Sequence, residues 1–147
     1  MGARHRAGGA RWVDAGHGAA EAGERFDLVC ALEVVEHVAD QDAFLAACAR
    51  VVAPGGGLVL ATLNRTLRSF ALGIVAAEYI LRWLPPGTHQ WSRFVRPSEA
   101  ARALRRGGLR IEDLTGVHYD PLHDRFRLAR DAGVNYMMFA VAPPPAG

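Results

Sequence analysis

Only two cysteines, Cys30 and Cys48, occur in the 147 residues. That number excludes a disulfide framework, and because both lie in apolar segments they are expected to be small buried side chains. A surplus of one charge is also lacking, since 17 Lys+Arg stand against 15 Asp+Glu for a net charge of +2. A nucleic-acid-binding domain would concentrate cations on one face, so nucleic acid is not an expected partner. All 17 of these cations are arginine, a compositional style with little functional content. The opening MGARHRAGGARW has no continuous apolar core and does not read as a secretory signal; residue 6 is Arg, where myristoylation after Gly2 needs Ser or Thr. The uncharged part of the longest apolar stretch, 67–84, falls short of the roughly 20 residues a membrane span requires. Arg68, Glu78 and Arg82 interrupt it. At about 100° per residue these charges fall within about 80° of arc, as in a helix that packs into a core or lies in a membrane interface.

What is present is apolar material alternating with turns. Half of the residues are hydrophobic and 22% are charged, a globular composition whose length fits one domain. Residues 26–32 (FDLVCAL) form a compact apolar run, read as a strand buried on both faces as in a parallel sheet. Asp40 then caps a helix with Asp42 in its first turn and Phe44, Leu45, Cys48, Val51 and Val52 at helical spacing. Pro54-Gly55-Gly56 is expected to end that helix. Residues 58–63 form a second buried strand, so the order is that of a crossover unit in an α/β fold. A helix over 67–84 stops at Pro85-Pro86-Gly87; another runs from Pro97-Ser98-Glu99 through Leu104 to Gly107-Gly108. Residues 109–114 and 134–141 read as strands. Residues 1–24, rich in Gly, Ala, Arg and His, are strand-like only at Arg11-Trp12-Val13.

The chemistry-bearing residues gather where strands end. Glu33, Glu36 and His37 directly follow the first strand, at the edge where open parallel sheets bind ligands. In one α-helical turn, positions i, i+3 and i+4 share a face, so two carboxylates and an imidazole would converge. Such a set suits a divalent cation: oxygen ligands favour magnesium or manganese, and imidazole draws toward zinc, manganese or iron. The plainer alternative is a solvated acidic turn beside a surface histidine. Thr62-Leu63-Asn64-Arg65 places polar groups at the same edge, with Asn64 and Arg65 as substrate contacts or as a helix cap and a surface cation. His89 lies in a Gly/Thr/Trp loop and His118-Tyr119 follow Gly116. Each is a candidate base or substrate wall, or merely exposed. Arg93, Arg96, Arg102, Arg105 and Arg106 read as a solvated helix face, or as holders of anionic headgroups where 67–84 meets lipid.

Several segments together resemble the ubiquinone-biosynthesis O-methyltransferase family. They are FDLVCALEVVEHV (26–38), VAPGGGLVLATLNRT (52–66), AAEYILRWLPPGTHQW (76–91), FVRP (94–97), TGVHYDP (115–121) and VNYM (134–137). The Pro-Gly-Gly turn alone points to methyltransferases at large, whereas ATLNRT followed by EYILRWLPPGTH is peculiar to this family. The resemblance implies a class I, Rossmann-like methyltransferase sheet whose last strand, here 134–141, is antiparallel. It implies S-adenosylmethionine as cofactor, with Leu32 against its adenine end. It implies Glu33, Glu36 and His37 as ligands of a divalent metal, and a polyprenylated catechol as substrate. His37 is then a ligand or a proton acceptor, with His118 the other candidate base; Asn64, Arg65, His89 and Tyr119 lie on the substrate side. The amphipathic insertion 67–91 is implied to cover the site and engage lipid. That places the protein in the cytoplasm, peripheral to the inner membrane, with other ubiquinone-biosynthesis proteins as partners.

One part of that fold has no counterpart in the sequence. The glycine-rich turn after the first strand and the acid ending the second hold the methionine and ribose ends of the cofactor. Gly8-Gly9 and Gly16-His17-Gly18 lack a preceding apolar run and are not that turn. The expected organisation is a remnant of the connection and third strand over 1–24, the carboxyl-terminal part of a methyltransferase domain over 25–142, and a flexible tail over 143–147. The strand at 26–32 is then left with an open edge, and the chain is expected to be inactive alone. The rival expectations are a non-catalytic lipid- or complex-associating module derived from the same enzyme, and a metal-binding protein without methyl transfer.

Overall fold

The computed structural model describes residues 4–7, 10–13, 23–69, 91–120, 123 and 125–145. Strands β1 (Arg4–Ala7) and β2 (Ala10–Val13) pair antiparallel in a two-stranded sheet of their own, Trp12 opposite His5. The other strands are β3 (Phe26–Leu32), β4 (Val52–Leu63), β5 (Arg110–Asp120), β6 (Arg125–Ala129) and β7 (Asn135–Val141). They form one sheet in the order β3-β4-β7-β5-β6. β3 and β4 are parallel, with Val29 beside Leu58 and Leu32 beside Ala61. β7 inserts antiparallel between β4 and β5, with Leu60 opposite Met138 and Thr62 opposite Tyr136. The α/β sheet with a final antiparallel strand is therefore present as expected.

Helix α1 (Gln41–Arg50) starts where its cap predicts, the Asp40 Oδ1 accepting from the Ala43 N–H at 2.9 Å. It stops short of the expected Val52, because Val52 already pairs with Phe26 as the first residue of β4. Pro54-Gly55-Gly56 consequently lies inside β4, where the register jumps from Phe26–Val52 to Leu28–Gly57. The three residues make a bulge. Gly55 takes a φ of 76°, and a Cβ on Gly56 would lie 2.9 Å from the carbonyl oxygens of Ala53 and Asp27, so only glycine fits. Helix α2 (Pro97–Arg106) has Pro97 in its first turn, and the Glu99 carboxylate accepts from the Arg96 N–H at 3.0 Å.

Both helices cover the same face of the sheet. Val29, Ala31, Leu58, Leu60, Met138 and Ala140 are buried there with Leu45, Cys48, Ala100 and Leu104. Each large aliphatic side chain in that layer contributes about 1.5–3 kcal/mol through burial. The opposite face is open: Leu28 is 55% exposed, Leu32 50% and Phe139 37%. The expectation that β3 is buried on both faces is thus corrected, since the described residues provide helices on one side only. Cys30 points to the open face and is exposed, contrary to the expected burial, whereas Cys48 is buried and its thiol is pushed up to about 11 by loss of solvent.

Of the helix expected over 67–84, Leu67–Ser69 is described and helical. Its Ser69 hydroxyl donates to the Asn64 carbonyl. The remainder, with His89, lies outside the described residues. Among the described residues no helix is long and apolar enough to cross a membrane. β5 runs on to Asp120, past the expected end at 114, because β6 supplies a hairpin partner: His118 pairs with Arg127 and Tyr119 with Phe126. Pairing outside the local sequence overrides the weak strand propensity of the Asp and Gly residues in β5.

Candidate active site

At the end of β3 the chain turns at Glu33, the one non-glycine residue with positive φ among the described residues, at 52°. Its N–H donates to the Ala61 carbonyl at 2.8 Å, which ties the turn to β4. Val35–His37 then forms a 3-10 turn, closed by the His37 N–H donating to the Val34 carbonyl at 2.9 Å. The α-helical turn assumed from spacing is not adopted. Glu33 precedes that turn, and its left-handed φ and its bond to Ala61 set its carboxyl beside Glu36, while His37 is exposed. Among the described residues no three His, Cys, Asp or Glu side chains converge as a metal cage. The expected convergence of Glu33, Glu36 and His37 is corrected to a pair of carboxylates.

Glu36 is only 3% exposed. Its Oε2 accepts from the Thr62 hydroxyl at 2.8 Å, while its Oε1 is buried and meets no hydrogen-bond donor among the described residues. Glu33 reaches solvent over much of its surface, yet its carboxyl is crowded. Loss of solvent first, then the charge and contact of Glu36, push its pKa up to about 7. Thr62 is opposite Tyr136, whose buried phenol oxygen also has no hydrogen-bond partner. Burial raises that phenol well above its usual range, with the carboxylates of Glu99 and Glu36 adding to the effect. Spacing alone identified Thr62 only as a polar group at the sheet edge and Tyr136 only as part of VNYM. The available signal was a hydroxyl closing an otherwise apolar strand.

The remaining candidates are dispersed. Asn64 is buried; its Nδ2 donates to the Ala132 carbonyl at 2.8 Å and its backbone N–H to the Val134 carbonyl at 2.7 Å. The Arg65 guanidinium pairs with Glu99 of α2 and lines a cleft of about 550 Å³ with Asp40, Gln41, Arg93 and Arg102. His118 stands in β5 with its Nε2 2.9 Å from the Asp131 carbonyl oxygen. β5 is separated from β4 by β7, which places it about 10 Å from β4 and about 15 Å from β3. His118 is thus not brought to the carboxylate pair, and the backbone of Tyr119 pairs with Phe126 in the same outer part of the sheet. Arg102, Arg105 and Arg106 are exposed, as a solvated helix face requires, and Arg106 pairs with Asp42 at 2.8 Å.

Residues 3–114 match the methyltransferase-domain family. The chain belongs to that family. This methyltransferase domain is similar to the ubiquinone biosynthesis O-methyltransferase of Methylobacterium sp. (strain 4-46), 59% identical over 83% of this chain and 49% of that protein. It is 55% identical to the protein of the same name from Brucella anthropi over 84% of this chain and 50% of the relative. The domain spans about half the length of the curated relatives it matches. A SAM-dependent methyltransferase from Thermotoga maritima shares its fold with a TM-score of 0.53 at 13% identity, over 81% of this chain and 57% of that one. An O-methyltransferase family protein from Burkholderia thailandensis does so with a TM-score of 0.53 at 14% identity, over 86% and 34%.

Proposed function

We propose that this methyltransferase domain serves the S-adenosylmethionine-dependent O-methylation of a polyprenylated catechol in ubiquinone biosynthesis. The relatives' shared name supports the pathway and reaction. The structural observation that carries the reading is the Glu33–Glu36 pair at the carboxyl edge of the sheet, with one Glu36 oxygen held by Thr62 and the other buried and unpartnered. A buried carboxylate oxygen without a partner, next to a second carboxylate, fits a divalent cation such as magnesium or manganese. Glu33 and Glu36 would hold it. The cation supplies charge that favours the phenolate of a catechol whose hydroxyl otherwise titrates near pKa 10.

His37, exposed and next in sequence to Glu36, is the proton acceptor in this reading, with His118 left as the distant alternative. Leu32, half exposed at the end of β3, offers an apolar surface to the adenine of the methyl donor. The methyl donor would supply a sulfonium methyl group to the phenolate oxygen, a C–O bond replacing the C–S bond and a neutral thioether being released. What the chain contributes is alignment and the exclusion of water. Asn64 and Arg65 act through the frame: Asn64 ties the end of β4 to Ala132 in the segment before β7, and Arg65 ties it to Glu99 of α2. The proposal extends to the substrate's polyprenyl tail, to a lipid surface met by 67–84, whose first residue Leu67 is exposed, and to a cytoplasmic position peripheral to the inner membrane. Tyr119 and His89 belong to the proposed substrate side, and other ubiquinone-biosynthesis proteins to the proposed partners.

The test is methyl transfer from labelled S-adenosylmethionine to a short-chain prenyl catechol. The chain is assayed alone and with the amino-terminal half of the Methylobacterium relative supplied. Turnover that depends on that half and on magnesium is expected. No transfer under any condition, together with flotation on anionic vesicles, overturns the proposal in favour of a lipid-associating module.

A further inference from the structure

Two consecutive residues of β4 hold the two carboxylate residues of the turn. The Ala61 carbonyl accepts the Glu33 N–H at 2.8 Å, and the Thr62 hydroxyl donates to Glu36 Oε2 at 2.8 Å. Thr62 is fully buried in β4, paired with Tyr136 of β7 and one residue past the last β3–β4 pair, Leu32–Ala61, so the sheet holds its backbone where the turn departs. A threonine hydroxyl has one proton to donate, and here Glu36 takes it. The carboxylate is therefore divided: one oxygen is committed to the strand and the other is buried, facing no hydrogen-bond donor among the described residues, with Glu33 as its neighbour.

We infer that Thr62 is a positioning residue that fixes Glu36 as a one-oxygen ligand, reserving Oε1 for a divalent cation shared with Glu33. The inference rests on the cation reading above and deepens it. A carboxylate free to rotate could offer both oxygens; anchored through Oε2 it offers one, the mode suited to the near-octahedral coordination that magnesium and manganese adopt. Partners that orient a ligand in this way typically change metal affinity by about 10–100-fold when removed. The hydroxyl is the operative group. Valine has the same shape without it, and serine keeps it without the methyl group.

The experiment is a titration of the full 147-residue chain with Mn(II), free ion being read by electron paramagnetic resonance and magnesium added as competitor. Thr62→Val is expected to weaken Mn(II) binding by about 10–100-fold, and Thr62→Ser to stay within about threefold of the parent. Melting midpoints by circular dichroism verify that each variant is folded, and Thr62→Ala replaces Thr62→Val if the latter is not. A Val variant that binds like the parent, or a Ser variant as weak as the Val variant, overturns the positioning role while leaving the cation site standing. A parent chain that takes up no Mn(II), or binds no better than Glu36→Gln, overturns the cation reading and this inference with it.

Discussion

Glu33 joins an unusual backbone to an unusual acidity. Its left-handed φ of 52° starts the turn that sets its carboxyl beside Glu36, and that neighbour with the loss of solvent raises its pKa to about 7. An ordinary glutamate titrates near 4.3. Because the folded-state value is the higher one, the stabilising contribution of protonated Glu33 is complete below about pH 4.3 and is lost as pH climbs through about 7. Thermal midpoints are expected to fall between pH 5 and 8 by more in the parent chain than in Glu33→Gln. Equal slopes would refute the shared carboxylate environment, and added magnesium should recover the parent's loss at pH 8. The thiols offer a second contrast. Exposed Cys30 should react with a thiol reagent in the native chain, whereas buried Cys48, with its raised pKa, should react only in denaturant. Two thiols labelled at equal rates under native conditions would contradict the assigned faces of β3 and α1. Residue types and their spacing were enough to single out Glu33, Glu36 and His37. The departure from an α-helical turn was not legible, because it follows from the φ of Glu33 and its bond to a strand 28 residues further on.

At the scale of elements, the legible features were those with a local cause. Asp40 caps α1, Pro97 and Glu99 open α2, and Gly108 with a φ of 87° closes it. Asp40→Ala should destabilise the chain by about 1 kcal/mol, read as a lower urea midpoint at constant slope. No change would mean that the cap bond adds nothing beyond solvent. Features with a distant cause were misread. Pro54-Gly55-Gly56 has the composition of a helix terminator, yet its function is set by β3, whose carbonyls leave no room for a Cβ at position 56. Gly56→Ala should therefore cost more than the cap, about 1–3 kcal/mol, since backbone oxygens cannot step aside like the end of a flexible side chain. A Gly56→Ala chain as stable as the parent would show that the bulge relaxes freely. The extension of β5 past residue 114 has the same kind of origin: Thr115, Gly116 and Val117 pair with β7, and β6 had to be in place before His118 to Asp120 could be read as strand.

For the whole molecule, the crossover of β3, α1 and β4 was foreseeable from the alternation of apolar runs and helices, but the full order β3-β4-β7-β5-β6 and the burial of β3 were not. An apolar run predicts two covered faces only if both covers exist. In the described residues α1 and α2 lie on one side, which leaves Leu28, Leu32 and Phe139 on the other and the outer edge of β3 with unpaired backbone groups. An exposed edge beside an apolar face is a template for pairing with another chain. Sedimentation velocity over a range of concentrations should reveal reversible association, and Leu28→Lys should suppress it, since a charge on that edge opposes strand addition while leaving the helical layer untouched. Leu28 suits this test because it is on the edge strand yet away from the Glu33–Glu36 turn, so metal binding by the variant should match the parent. If the parent chain sediments as a single monomer at every concentration, or Leu28→Lys associates as strongly as the parent, the open face is not the surface that governs association.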